Sequence, residues 1–205
     1  MTQNQQAMEK PAGETLFTIE EYLVFTDTRP DDEHWELIEG RPVLNATPVD
    51  YHQLAAGNIL SHLLQFKSAH RANWFPLMGV GTRVPASRNS LPQPDVMVKE
   101  LPPTGSSVSD DALVVFEVWS RSNNKADQAW RRKVYPSVPN CRHYVSVSLK
   151  SVNVVVHDQA DGWVPRTLVS LDDCLLLPAL DAGASSVSLS LEEIYRYTPL
   201  GRDHH

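Results

Sequence analysis

Several classes are excluded by what this sequence lacks. Cys141 and Cys174 are its only cysteines, so no disulfide framework and no close-spaced cysteine metal motif can be built. Both are expected as buried, reduced thiols, because a free cysteine behaves as a small core hydrophobe. No apolar run approaches the roughly 18–20 residues that cross a bilayer. The opening stretch, MTQNQQAMEKPAGE, has neither an apolar centre nor a small-residue cleavage site, and does not read as a secretory signal. The expectation is a soluble, cytoplasmic, bacterial protein with no membrane partner. A broad basic surface is missing too: the net charge is −7 and the pI about 5.6, which argues against a protein that coats DNA. A carboxylate metal site adds negative charge that its bound cation neutralises, so the total understates the local attraction for phosphate.

What remains has ordinary globular proportions, 41% hydrophobic and 21% charged in 205 residues. That suits one domain over 15–198, with a disordered tail over 1–14 and a C-terminal tail over 199–205. Thr18 and Glu21 form a capping box for a first short helix. Glu39-Gly40 joins Trp35–Ile38 to Arg41–Leu44 as a β-hairpin. Ala56, Ile59, Leu60, Leu63 and Leu64 recur at helical spacing, predicting a helix from about Asp50 to Arg71 with His52 on its inward side. Strands are expected at Trp74–Met78, Gly81–Pro85, Asp95–Val98 and Ala112–Trp119, then a helix from about Asn124 to Tyr135. Strands near His143–Val147 and Ser151–His157, and one ending near Leu168, precede a second capping box at Ser190 and Glu193. The order is that of a mixed α/β or α+β domain, a twisted sheet flanked by helices.

The chemistry starts with Leu113–Trp119, which is apolar on both faces except for one residue. Such a strand sits centrally in a covered sheet, where alternation sets Glu117 beside Val115 and Trp119. A carboxylate there must be protonated, paired with a base such as Arg131 or Lys133, or bound to a metal. Asp95 opens the strand after Gln93-Pro94, and two carboxylates from neighbouring strands can share one hard cation. Arg121, Lys125, Arg131, Arg132 and Lys133 crowd a stretch with a single acid, Asp127, and are the candidate phosphate-facing patch; the alternative is a solvated helix face.

Pro94-Asp95 followed by Glu117-Val118-Trp119 at the end of an apolar strand resembles the paired signature of the PD-(D/E)XK nuclease superfamily. The likeness narrows with Phe17-Thr18-Ile19-Glu20-Glu21-Tyr22-Leu23, Trp35-Glu36-Leu37-Ile38-Glu39-Gly40, His52, Gln93-Pro94-Asp95, Phe116–Ser120, Tyr135, Pro139 and Tyr144. In order and spacing these are similar to the Uma-type restriction-endonuclease family, from about Phe17 to Tyr197. The resemblance implies a restriction-endonuclease-like core and Mg²⁺-dependent phosphodiester hydrolysis, Mn²⁺ serving as substitute, on nucleic acid, DNA above RNA, by a homodimer. It implies Asp95, Glu117 and Glu36 as metal carboxylates, His52 as the histidine opening the long helix, and Ser120 and Asp127 as further matching positions.

One departure divides the functional readings. The third position of the signature is Trp119 rather than lysine, and the family's lysine, four residues before the matching tyrosine, is Arg131 here (135 − 4 = 131), preceded by Trp130 where a glutamate is usual. Lys133 lies two helical steps, about 200°, away and does not replace it. An arginine can stabilise phosphate with its fork of donors, yet it keeps its proton. The nuclease reading has Asp95, Glu117, Arg131, Glu36 and His52 as its catalytic set. The alternatives are a degenerate nuclease fold that binds nucleic acid or a partner without cutting, and a purely structural scaffold.

Overall fold

The structure is a computed structural model that describes residues 16–30, 32–120, 125–182 and 185–202. The expected tail over 1–14, the expected helix start at Asn124, and Arg121 lie outside the described residues. Helix α1 (Ile19–Thr26) carries the full Thr18–Glu21 capping box. It packs Ile19 and Tyr22 against Leu37 of the hairpin β1 (His34–Ile38) and β2 (Arg41–Asn45). Both turn residues have positive φ, Glu39 at 50° and Gly40 at 78°, as a tight antiparallel turn requires. A Cβ on Gly40 would also meet Leu16 Cβ at 2.7 Å.

Helix α2 (Asp50–His70) buries Ala55, Ala56, Ile59 and Leu63. Leu64, expected on the inward stripe, is exposed, because the contact face turns toward Ala55. After α2 come β3 (Phe75–Leu77), β4 (Gly81–Thr82), β5 (Val96–Lys99), β6 (Val108–Ser109) and β7 (Val114–Trp119). Helix α3 (Lys125–Val134) then crosses to β8 (His143–Ser148), followed by β9 (Val154–Asp158) and β10 (Pro165–Leu168). Only Gly81-Thr82 of the expected Gly81–Pro85 strand is extended, paired in parallel with β6. The main sheet runs β10-β9-β8-β7-β5-β3, antiparallel at every step except the β7–β8 pair that α3 bridges.

Both faces of this sheet are covered, as the run Leu113–Trp119 implied. Val114, Phe116 and Val118 share a core with α2, with the hairpin β11 (Cys174–Ala182) and β12 (Ser185–Ser190), and with α4 (Leu191–Tyr195). Val115 faces the other way, toward Val134 and Tyr135. Cys141 is buried, but Cys174 is exposed, which corrects the expectation of two buried thiols: alternation along β11 sends Leu175 and Leu177 inward and leaves Cys174 and Leu176 outside. Residues 199–202 stay attached: Leu200 packs on the main core and Arg202 pairs with Asp172 and Glu192. Among the described residues, no helix is long and apolar enough to cross a membrane.

Candidate active site

The antiparallel register of β5 and β7 pairs Val96 with Phe116, and continuing it by one position sets Asp95 opposite Glu117. Side chains so placed share a face at roughly 4.5–5.5 Å between Cβ atoms. Two carboxylates from adjacent strands thus meet at one end of β7. Asp95 Oδ2 accepts the Val118 amide hydrogen bond at 2.7 Å, and Oδ1 lies 3.3 Å from His52 Nε2 in the first turn of α2. Burial works against a charged His52, but the Asp95 carboxylate outweighs it and raises the histidine's pKa. His52 Nδ1 is buried with no hydrogen-bond partner among the described residues.

A third carboxylate arrives from the hairpin. Glu36 on β1 is 2% exposed. It is seated because the Leu91 amide bonds the Leu37 carbonyl at 2.7 Å, drawing the chain before Asp95 alongside β1. Glu36 Oε1 accepts from the Gln93 amide at 2.5 Å and Oε2 from Asn45 Nδ2 at 2.9 Å.

Arg131 closes the constellation from α3. It is 6% exposed, buried with the acids rather than standing with Lys125, Arg132 and Lys133, which are exposed. Its Nη2 donates to Glu36 Oε2 at 2.5 Å, and Nη1 lies within 3.1 Å of Glu36 Oε1 and 2.9 Å of Glu117 Oε1. Its Nε reaches Asp127 at 3.2 Å, one turn earlier on the same helix. Tyr135, one turn later, donates its hydroxyl to Glu117 Oε1 at 2.6 Å. Asp127, Arg131 and Tyr135 form an i, i+4, i+8 stripe. That spacing was the available signal for Tyr135, which sequence reasoning used only as a landmark; Asn45 and the Gln93 amide had no signal short of the fold.

The charges do not balance. Glu36, Glu117 and Asp127 contact one guanidinium, and Asp95 adds a fourth carboxylate, held against His52; fully ionised, with the imidazolium counted, the group carries 4 × (−1) + 2 = −2. Glu117 registers the surplus. Burial first, then the charges of Asp95 and Glu36, overcome the pull of Arg131 and push its pKa up to about 8. Burial opposes the charge on Arg131, but the carboxylates of Glu117 and Glu36 hold the guanidinium protonated. Burial and Glu117 raise Tyr135, so its hydroxyl keeps its proton.

Glu36 has both oxygens engaged, whereas Glu117 Oε2 has no hydrogen-bond partner among the described residues. Among the described residues no three His, Cys, Asp or Glu side chains converge as a ready ligand group. Asp95 and Glu117 still fit the donor set of a hard divalent cation, which commonly takes one or two carboxylates and fills the remaining positions with water and phosphate.

Comparison with known proteins agrees with this architecture. The family described as "Uma2: Putative restriction endonuclease" matches residues 19–192. A crystal structure described as that of "a putative nuclease belonging to DUF820", from Anabaena variabilis ATCC 29413, superposes with a TM-score of 0.70 at 12% identity, over 87% of this chain and 97% of that one. That likeness concerns the fold. No curated protein matches.

Proposed function

The chain belongs to the Uma2 family, and from that premise we propose that it is a metal-dependent nuclease hydrolysing phosphodiester bonds of nucleic acid, DNA above RNA. The observation that carries the reading is the register that sets Asp95 opposite Glu117 on adjacent strands, with Glu117 Oε2 left without a donor among the described residues. Asp95 and Glu117 are the residues that would hold Mg²⁺ or Mn²⁺, which when bound supplies Lewis-acid polarisation of a phosphoryl oxygen and a more acidic water.

The remaining residues position these two. His52 and the Val118 amide orient Asp95. Arg131 and Tyr135 both bond Glu117 Oε1, which fixes the rotamer and directs Oε2 away from them. Glu36, held by Asn45 and Gln93, secures Arg131. In this role Glu36 organises the site through Arg131 rather than ligating, and Arg131 acts as a permanent positive charge that exchanges no proton. The exposed cations Lys125, Arg132 and Lys133 on α3 supply phosphate contacts. A homodimer would let two such sites engage the two strands of a duplex.

A second reading, a nuclease fold that binds without cutting, draws on one observation: Arg131, at the family's lysine position, is fully occupied by Glu36, Glu117 and Asp127. Supercoiled plasmid, single-stranded DNA and RNA incubated with Mg²⁺, Mn²⁺ or EDTA separate the two. The nuclease reading expects cleavage with metal, none with EDTA, none by Glu117→Ala, and preserved or raised cleavage by Arg131→Lys. If neither native protein nor Arg131→Lys cuts any substrate although both bind metal, the non-cutting reading holds.

A further inference from the structure

Beside α3 the sheet opens into a cavity of about 240 Å³. Its floor is polar where a central strand is ordinarily apolar. Ser146 and Ser148 of β8 are half-buried there, in register with Glu117 and Trp119 of β7. The cavity therefore continues the sheet face that carries Glu117, toward the carboxyl ends of the parallel β7–β8 pair. Crevices outside the carboxyl ends of parallel strands are where α/β sheets bind ligands. Gln128 and Arg132 of α3 form one wall and Lys150, in the turn after β8, the other; Trp119 adds an aromatic surface.

Arg83, Arg166 and Arg202 are paired with carboxylates. Among the described residues Arg132 and Lys150, like Lys125 and Lys133, have no acidic side chain against them, and no carboxylate lines the cavity. Two unpaired positive charges above serine hydroxyls and an amide make a site for a phosphate ester. The volume lies below the roughly 300–1,000 Å³ that encloses a free drug-sized ligand, which suits one unit of a longer strand.

We propose that this cavity is the subsite for the sugar-phosphate of the nucleotide adjoining the scissile position, with Arg132 and Lys150 on its phosphate and Ser146, Ser148 and Gln128 on its polar edges. The assignment rests on the nuclease reading for its orientation and on the cavity's own residues for its ligand.

The test is binding of a fluorescein-labelled ten-nucleotide single-stranded DNA, followed by anisotropy in EDTA at several salt concentrations, so that neither metal nor cleavage enters. Arg132→Ala/Lys150→Ala should lose at least about tenfold in affinity at low salt. Its slope of log K against log salt should fall by about 1.4, two phosphate contacts at about 0.7 each. Ser148→Trp, which fills the cavity with every charge in place, should lose affinity comparably, while Arg196→Ala on the opposite face of the sheet should not. An unchanged slope in the double variant, a Ser148→Trp protein that binds as well as native, or no binding by native protein overturns the subsite. A nucleoside monophosphate binding as tightly as the ten-nucleotide strand overturns it also, in favour of a free-nucleotide site. Native protein that cuts DNA while the double variant binds normally removes the subsite and leaves the nuclease reading; cavity variants that lose binding in a protein that never cuts do the reverse.

Discussion

Strand β5 has a buried charge arrangement at each end, and the two are composed differently. Just after Val98, Lys99 lies 3.5 Å from Asp111, both almost fully buried: one cation, one anion. Just before Val96, Asp95 pairs with His52 and faces Glu117, which shares the guanidinium of Arg131 with Glu36 and Asp127. The pair at Lys99 matches one charge with one and ties β5 to the segment before β7, although Asp111 Oδ2 is buried without a partner among the described residues. At the other end carboxylates outnumber cations, and burial together with the charges of Asp95 and Glu36 raises the pKa of Glu117. Buried ion pairs are weak evidence for stability in general. A buried surplus of one sign is a stronger pointer to function, because folding gains nothing from leaving it uncompensated.

The largest expected effect comes from removing the cation at either end. Arg131→Met and Lys99→Met should each destabilise by about 3–5 kcal/mol, the usual result of leaving a buried charge without its partner. They should part when metal is added: millimolar Mn²⁺ should restore much of the melting temperature of Arg131→Met by binding the folded state, and none of that of Lys99→Met. Equal responses in thermal melts would erase the distinction between the two ends.

Next in size is the pH dependence of stability without metal. The folded-state pKa of Glu117, about 8, lies above its ordinary value of 4.5, so the folded protein binds the extra proton between them. Its contribution to stability is fully present below pH 4.5 and is lost as pH rises through about 8. Denaturant midpoints should therefore decline from pH 5 to pH 9, and Glu117→Gln should flatten that decline. A decline of the same size in Glu117→Gln would assign it to another group.

The smallest effect belongs to His52, which touches the site through Asp95 and the Val118 backbone. Orienting partners of this kind typically matter by about 10–100-fold in metal affinity or activity. His52→Ala should fall in that range with a nearly unchanged melting temperature, whereas Asp95→Asn should lose metal binding outright. A His52→Ala protein with native metal affinity would remove the histidine from the site.

Sequence patterning carried the elements whose signals are local. Apolar spacing outlined α2, both capping boxes formed as read, and the two-faced apolar run at Leu113–Trp119 gave the central strand and a buried Glu117. The β11–β12 hairpin went unread because Pro178 interrupts an apolar run, and the register shift between Leu177 and Asp181 breaks its alternation. Arg131 shows the limit most clearly. Its position on α3 was legible, but whether its side chain turned outward with Lys133 or inward to Glu36 depended on a hairpin 95 residues away in sequence. Pairing Arg131 with Glu117 was among the alternatives that the sequence left open; that Glu36 shares the same guanidinium follows only from the fold.

The central claim is that Asp95 and Glu117 together form a divalent-cation site, and calorimetric titration with Mn²⁺ at pH 7 tests it most directly. The account predicts binding by native protein with release of up to one proton, displaced from Glu117, and no binding heat with Glu117→Ala. Native and Glu117→Ala proteins giving the same Mn²⁺ isotherm, or native protein giving none, would contradict it.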